Sequence, residues 1–131
     1  MSNKVYTYSY NSKYEPPMPV IELTLSLPGQ ADSEANITAL IDSGSDGTLI
    51  PIDILEKIGA RYVDRVRIRS IFGDTELADR YLVNVRIGNH FIYAVRVVAV
   101  SNDDETILGR NILNQLLVTL NGLASVTEIP D

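Results

Sequence analysis

The sequence predicts an all-β domain, a barrel or sandwich with one or two short helices, and three observations carry that expectation. Apolar residues recur at every second position in several short runs. Gly- and Pro-containing turn signals separate those runs. About eight or more such runs fit into one chain, which is the pattern of a closed or stacked β architecture. The chain has 131 residues, a length suited to a single core.

The elements follow in order. Tyr6, Tyr8 and Tyr10 alternate with polar neighbours, which describes either a strand that docks or a mobile tail. Pro16, Pro17 and Pro19 then interrupt the chain and mark the start of the main domain. Ile21, Leu23, Leu25 and Leu27 alternate with polar residues and predict a half-buried strand that Pro28-Gly29 ends. A polar loop is expected to about Glu34, then a strand through Ile37, Ala39 and Ile41. Pro51 can open a short helix reaching about Ile58, and Gly59 can close it. Val66 and Ile68 alternate with arginines in a further strand, and Gly73-Asp74 is a turn candidate. Tyr81, Val83, Val85 and Ile87 form the next run, and Gly88-Asn89 turns the chain into Phe91 to Val100, whose last six residues read as a central strand. Ile112, Leu113, Leu116 and Leu117 fit one face of a short helix predicted over 110–117. Asn121-Gly122 is a two-residue hairpin signal, and the chain returns through Ile129.

Composition removes several function classes. With no cysteine there is no disulfide framework, thiolate metal site or cysteine nucleophile. A net charge of −6 argues against nucleic acid as a partner, since phosphate binding needs clustered Lys and Arg. The local arginines, Arg61, Arg65, Arg67 and Arg69, read as a solvated strand face. The single histidine, His90, follows a turn signal and is taken as an exposed turn residue. No membrane span and no secretory h-region are visible, so a cytoplasmic location is expected, with no membrane partner.

Chemistry concentrates at Asp42-Ser43-Gly44-Ser45-Asp46, a polar stretch between two apolar segments. A carboxylate held there is expected to be partly withdrawn from water, which penalises its charged form. Beside a second carboxylate it would share a proton, so that one acts as base toward water while the other donates to a scissile carbonyl. Gly44 permits a close backbone approach, and Ser43 and Ser45 can fix nearby groups.

The run Ala39-Leu40-Ile41-Asp42-Ser43-Gly44-Ser45-Asp46 resembles the active-site signature of aspartic proteases. Ile107-Leu108-Gly109-Arg110-Asn111-Ile112-Leu113 resembles the second signature of retroviral-type (retropepsin-like) proteases, and Gln115 and Thr119-Leu120-Asn121 also match. The resemblance covers roughly residues 20–121. It implies a closed acid-protease barrel with a flap hairpin and an active site on a two-fold dimer axis. It implies an aspartic endopeptidase with no cofactor and no metal, acting on peptide or protein substrates. Asp42 matches the catalytic aspartate. Ser43 stands where the family has a hydroxyl that bonds across the dimer axis, Gly44 where a backbone N–H meets substrate, and Ser45 where a hydroxyl bonds the catalytic carboxylate, which implies an acidic pH optimum. Asp46 and Arg110 match an ion pair beside the cleft.

Only one Asp-Ser-Gly occurs, so the second aspartate is expected from a second copy of the chain, in a homodimer. Residues 68–82 resemble the flap, with its tip near Gly73. Leu49, Ile50, Ile71, Phe72, Gly73 and Ile107 are the candidates for substrate contacts, and the acidic Asp103, Asp104 and Glu105 read as a solvated loop. The expected organisation is an N-terminal extension over 1–18, docking or mobile, a protease domain over 19–122, and a C-terminal extension over 123–131 that can add an interface strand.

Three other readings compete. A non-catalytic retropepsin-fold module for dimerisation or peptide binding would not need the carboxylate. A calcium loop would use Asp42, Gly44, Asp46, Gly47 and Asp53, but glycine stands at the third ligand and Pro51 interrupts it. A small-ligand β-barrel leaves Gly109-Arg110-Asn111 unexplained.

Overall fold

The structure is a computed structural model that describes residues 3–69 and 72–131. Its organising feature is a seven-stranded sheet closed into a barrel. Strand β2 (Val20–Leu27) turns through Pro28-Gly29, with Gly29 at φ 79°, directly into β3 (Gln30–Ile41). The polar loop expected to Glu34 is therefore strand. A two-residue turn brings the chains together at once, and Ser26, Leu25 and Thr24 pair with Glu34, Ala35 and Asn36. Polar residues here face outward, because Glu34, Asn36 and Thr38 are exposed while Ala35, Ile37 and Ala39 turn inward.

Strand β4 (Leu49–Pro51) leads into α1 (Ile52–Ile58), which Gly59 closes at φ 76° as predicted. Strands β5 (Arg61–Arg69) and β6 (Thr75–Ile87) make a long antiparallel hairpin, paired as far as Arg69 opposite Thr75 with a register shift between Tyr62 and Asp64. Strand β7 (His90–Val100) returns along β6 and runs parallel to β4. Strand β8 (Ile107–Leu108) is short and lies between β3 and β4. The order is β2-β3-β8-β4-β7-β6-β5, and Thr24 to Ser26 of β2 pair with Arg86 to Asn84 of β6 to close the barrel. Inside it, Ile21, Leu25, Val83, Val85, Ile87 and Val97 are wholly buried. Of the expected central strand, Val95, Val97 and Val98 are all buried.

Helix α2 spans only Arg110–Leu113, shorter than predicted. Its exit tightens, with the amides of Gln115 and Leu116 bonding back three residues to Ile112 and Leu113. Leu117 is consequently left 67% exposed instead of joining the buried face.

A second sheet gathers both ends of the chain. It contains β1 (Val5–Ser9), β10 (Val126–Pro130) and β9 (Thr119–Asn121), in the order β1-β10-β9. Asn121 pairs with Val126, so the connection is a loop over 122–125 and not the expected two-residue turn. The Asn121 side chain accepts from the Ala124 amide at 3.1 Å and so organises the wider loop. His90 is likewise not simply an exposed turn residue. It is half-buried, and its Nε2–H donates to the Pro130 carbonyl at 2.7 Å, tying the β6–β7 turn to the end of β10. Among the described residues no helix is long and apolar enough to cross a membrane.

Candidate active site

The loop over 42–48 leaves the end of β3 and re-enters the barrel as β4, with β8 seated between them. Leu40 and Ile41 pair in parallel with Ile107 and Leu108, and Leu49 pairs with Ile107 from the other side. The Asp42 amide donates to the Leu108 carbonyl at 3.1 Å, and the Ser45 amide closes a turn onto the Asp42 carbonyl at 3.1 Å. A sharp polar turn is thus held between two rigid strands, which the alternation of residues 37–41 followed by Ser and Gly encodes locally.

The segment 109–111 then grips the loop from below. The Arg110 amide donates to the Ser45 carbonyl at 2.9 Å and the Asn111 amide to the Asp46 carbonyl at 3.2 Å. The Arg110 guanidinium donates through Nη1 to the Ser43 carbonyl at 2.7 Å and through Nη2 to the Asp46 carboxylate. One planar fork therefore fixes both arms of the turn. Beneath it the buried Thr48 hydroxyl donates to Asn111 Oδ1 at 2.8 Å and accepts from the Gly109 amide at 3.1 Å.

Asp42 itself differs from expectation in one respect. In the single chain it is exposed, not partly withdrawn from water, because the loop emerges on an open face of the barrel. Its Oδ1 accepts from the Gly44 amide at 2.9 Å. A Cβ on Gly44 would come within 3.1 Å of that oxygen, so a side chain there would crowd the carboxylate. Ser45 does not bond the carboxylate: its hydroxyl donates to the Gly47 carbonyl at 2.7 Å, turning away from Asp42 into the base of the loop.

The remaining candidates scatter. Leu49 and Ile107 are half-buried neighbours beside the loop. Ile50 is wholly buried in the core and offers no surface to a cleft. Phe72 and Gly73 lie at the tip of the β5–β6 hairpin, Phe72 at 85% exposure and Gly73 at φ 87°. Ile71 falls outside the described residues. In the acidic loop, Glu105 accepts a hydrogen bond from the Tyr14 hydroxyl, which joins the segment before β2 to this side of the molecule. Thr48 was not among the sequence candidates. A lone β-branched residue after Gly47 carries no signal of its own, and only its contact with Asn111, distant in sequence, reveals its role.

The family described as "gag-polyprotein putative aspartyl protease" matches residues 28–115. The structure is similar to that of EIAV protease in complex with the inhibitor HBY-793, with a TM-score of 0.61 and 18% identity over 82% of this chain and 93% of that one. It is similar also to a retropepsin-like aspartic protease from Rickettsia conorii, with a TM-score of 0.62 and 13% identity over 99% of this chain and 94% of that one. No curated protein matches the chain. At these identities the structural likenesses speak for the fold, and the family match covers more than half of the sequence and both of its signatures. The chain belongs to the retropepsin-like, gag-type aspartyl protease family.

Proposed function

We propose that this protein is an aspartic endopeptidase that works as a homodimer, with the Asp42 carboxylates of two copies facing each other across a two-fold axis. The observation that carries this reading is the exposed Asp42 carboxylate on a turn clamped from both arms by Arg110. Such a turn holds a carboxylate rigidly while leaving it open to a partner.

In the dimer the two carboxylates share one proton, since like charges at close range do not both ionise. The ionised member takes a proton from water as the water oxygen bonds to the peptide carbonyl carbon. The protonated member donates to the carbonyl oxygen. The tetrahedral intermediate then breaks its C–N bond, and a proton passes to the departing amine. This pairing implies an acidic optimum. Burial by the partner supplies the withdrawal from water that the single chain lacks.

Two further features support the dimer. Among the described residues the Ser43 hydroxyl has no hydrogen-bond partner, which suits a bond across the axis. Strand β9 is an edge of the terminal sheet, and Leu117, Leu120 and Leu123 around it are 67%, 52% and 104% exposed. An apolar open edge of this kind is covered in stable proteins. A second copy joining edge to edge at β9 covers it. Residues 19–122 then form the protease domain. The extensions 1–18 and 123–131 supply the strands that flank β9 on the side away from the partner, and the β5–β6 hairpin acts as the flap over substrate.

The test is cleavage of a diverse peptide library by the wild type and by Asp42→Asn, from about pH 3 to pH 8, over a range of protein concentrations. Expected is cleavage favoured at acid pH, falling on dilution and absent in the variant. A folded, dimeric wild type that binds peptides but cleaves none would replace this reading with that of a binding module.

A further inference from the structure

A cavity of about 510 Å³ opens beside the candidate loop, between it and the β5–β6–β7 face. Asp46 and Gly47 form its wall toward Asp42, and Val66, Ile68 and Val98 give it an apolar floor. Its charges come from three neighbouring strands. Asp64 of β5 stands opposite Arg80 of β6, and Arg80 stands opposite Val98 of β7, two residues along from Arg96 on the same face.

The two carboxylates around this cavity are already engaged. Asp46 is held by Arg110. Asp64 receives two hydrogen bonds from Arg80, at 2.8 and 2.7 Å. Arg96 has no ion-pair partner among the described residues, although its charge is felt at Asp64. The cavity therefore carries two cations without an ion-pair partner among the described residues, Arg96 and Arg67, in a chain whose net charge is −6. Arg96 is also tied to the candidate site, because its carbonyl accepts from Asn111 Nδ2 at 3.2 Å and Asn111 in turn bonds Thr48 under the loop. Arg67, on β5, also lines the cavity but among the described residues makes no hydrogen bond to the candidate loop, whereas Arg65 is held away from it by its pair with Asp79.

We infer that this cavity is a distal substrate subsite that selects an acidic side chain, Asp or Glu, with Arg96 as the specificity-determining residue. The inference rests on the peptidase reading and adds a substrate class to it. An extended peptide advances about 3.3 Å per residue, so the preference falls a few residues from the scissile bond. The apolar floor accepts the methylene stem of the side chain, and the guanidinium of Arg96 meets its carboxylate.

Peptides identical except for Asp, Asn or Lys at each position flanking the cleaved bond test this at about pH 5.5, where side-chain carboxylates are ionised. Wild type is expected to favour Asp over Asn at one distal position by about fivefold in kcat/KM, the size of one partly exposed ion pair, expressed in KM. Arg96→Gln should bring the Asp-to-Asn ratio to about one, Arg96→Lys should restore part of it, and Arg96→Glu should turn the preference to Lys. The wild-type ratio should also decline below about pH 4 as the substrate carboxyl protonates. Cleavage with no acidic preference, or a preference that survives in Arg96→Gln, overturns the subsite and leaves the peptidase reading standing. The same peptides binding Asp42→Asn, followed by fluorescence anisotropy, separate the two claims if nothing is cleaved. An Arg96-dependent Asp preference in binding upholds the subsite without the chemistry, and its absence there overturns the subsite.

Discussion

Gly109 lies so close to the carbonyl oxygen of Gly47 that a Cβ added at position 109 would stand 2.1 Å from it. The Gly109 backbone is extended, at φ −99°, so the requirement for glycine is one of space and not of conformation. The second signature packs against the loop of the first at backbone contact, and that contact sets where Asp42 sits. Gly109→Ala is therefore expected to push the two segments apart. Overpacking against backbone costs about 1–3 kcal/mol, which for a domain of this size lowers the melting temperature by roughly 5–10 °C. An unchanged melting temperature would show that the loop can yield.

Thr48 makes a second such junction, through hydrogen bonding. It is 1% exposed, and its hydroxyl serves Asn111 and the Gly109 amide together. Thr48→Val keeps the shape but leaves an amide and a side-chain oxygen unpaired, at about 1–3 kcal/mol for a buried group. Thr48→Ser retains the hydroxyl and loses one methyl, so it should cost less. Equal losses in the two variants, measured by urea denaturation, would assign the effect to packing.

The Asp64–Arg80 pair predicts a pH dependence of stability. Hydrogen bonds from Arg80 hold the Asp64 carboxyl below its ordinary value of 3.8, against an opposing push from desolvation. A depressed folded value stabilises the fold above the unfolded value, and that stability is lost as pH falls through the folded one. Asp64→Asn should accordingly melt below wild type at pH 6–7, and the gap should close under strongly acid conditions below about pH 3. A gap that stays constant with pH would mean that the carboxylate charge does not matter there.

Gly88 and Tyr6 couple the terminal sheet to the barrel. Gly88 has φ 57°, and an added Cβ would come within 2.6 Å of the Tyr6 ring. Gly88→Ala is expected to strain the turn by about 1–2 kcal/mol and to lift β1 off the barrel. Hydrogen exchange at the β10 amides that pair with β1 should accelerate, and Tyr6→Ala in the same chain should relieve part of the cost. Additive effects of the two substitutions would show that the ring and the turn do not share this contact.

Much of this was readable in the sequence, because the signals were local. Alternation over 20–27 and 81–87 identified strands whose inward residues are buried, and Pro51 with Gly59 bracketed a helix that ends where expected. The two signatures pointed to the family before any contact was known. Errors arose where distant partners decided the outcome. Residues 30–34 look like a loop until β2 is set beside them. Ile50 looks like a wall of a cleft until the barrel closes over it. His90 looks like an exposed turn residue until Pro130 reaches it.

By itself the sequence determined an all-β chain, the placing of most of its turns, and the identity of the loop that bears Asp42, since side-chain period and turn chemistry act over a few neighbouring residues. Only the tertiary structure decided that Arg110 clamps both arms of that loop, that Thr48 and Gly109 seat it, that both ends of the chain share one sheet, and that Arg80 and Arg96 meet at one cavity. Those relationships join residues far apart in the chain, and only the pairing and packing of the two sheets brings them together.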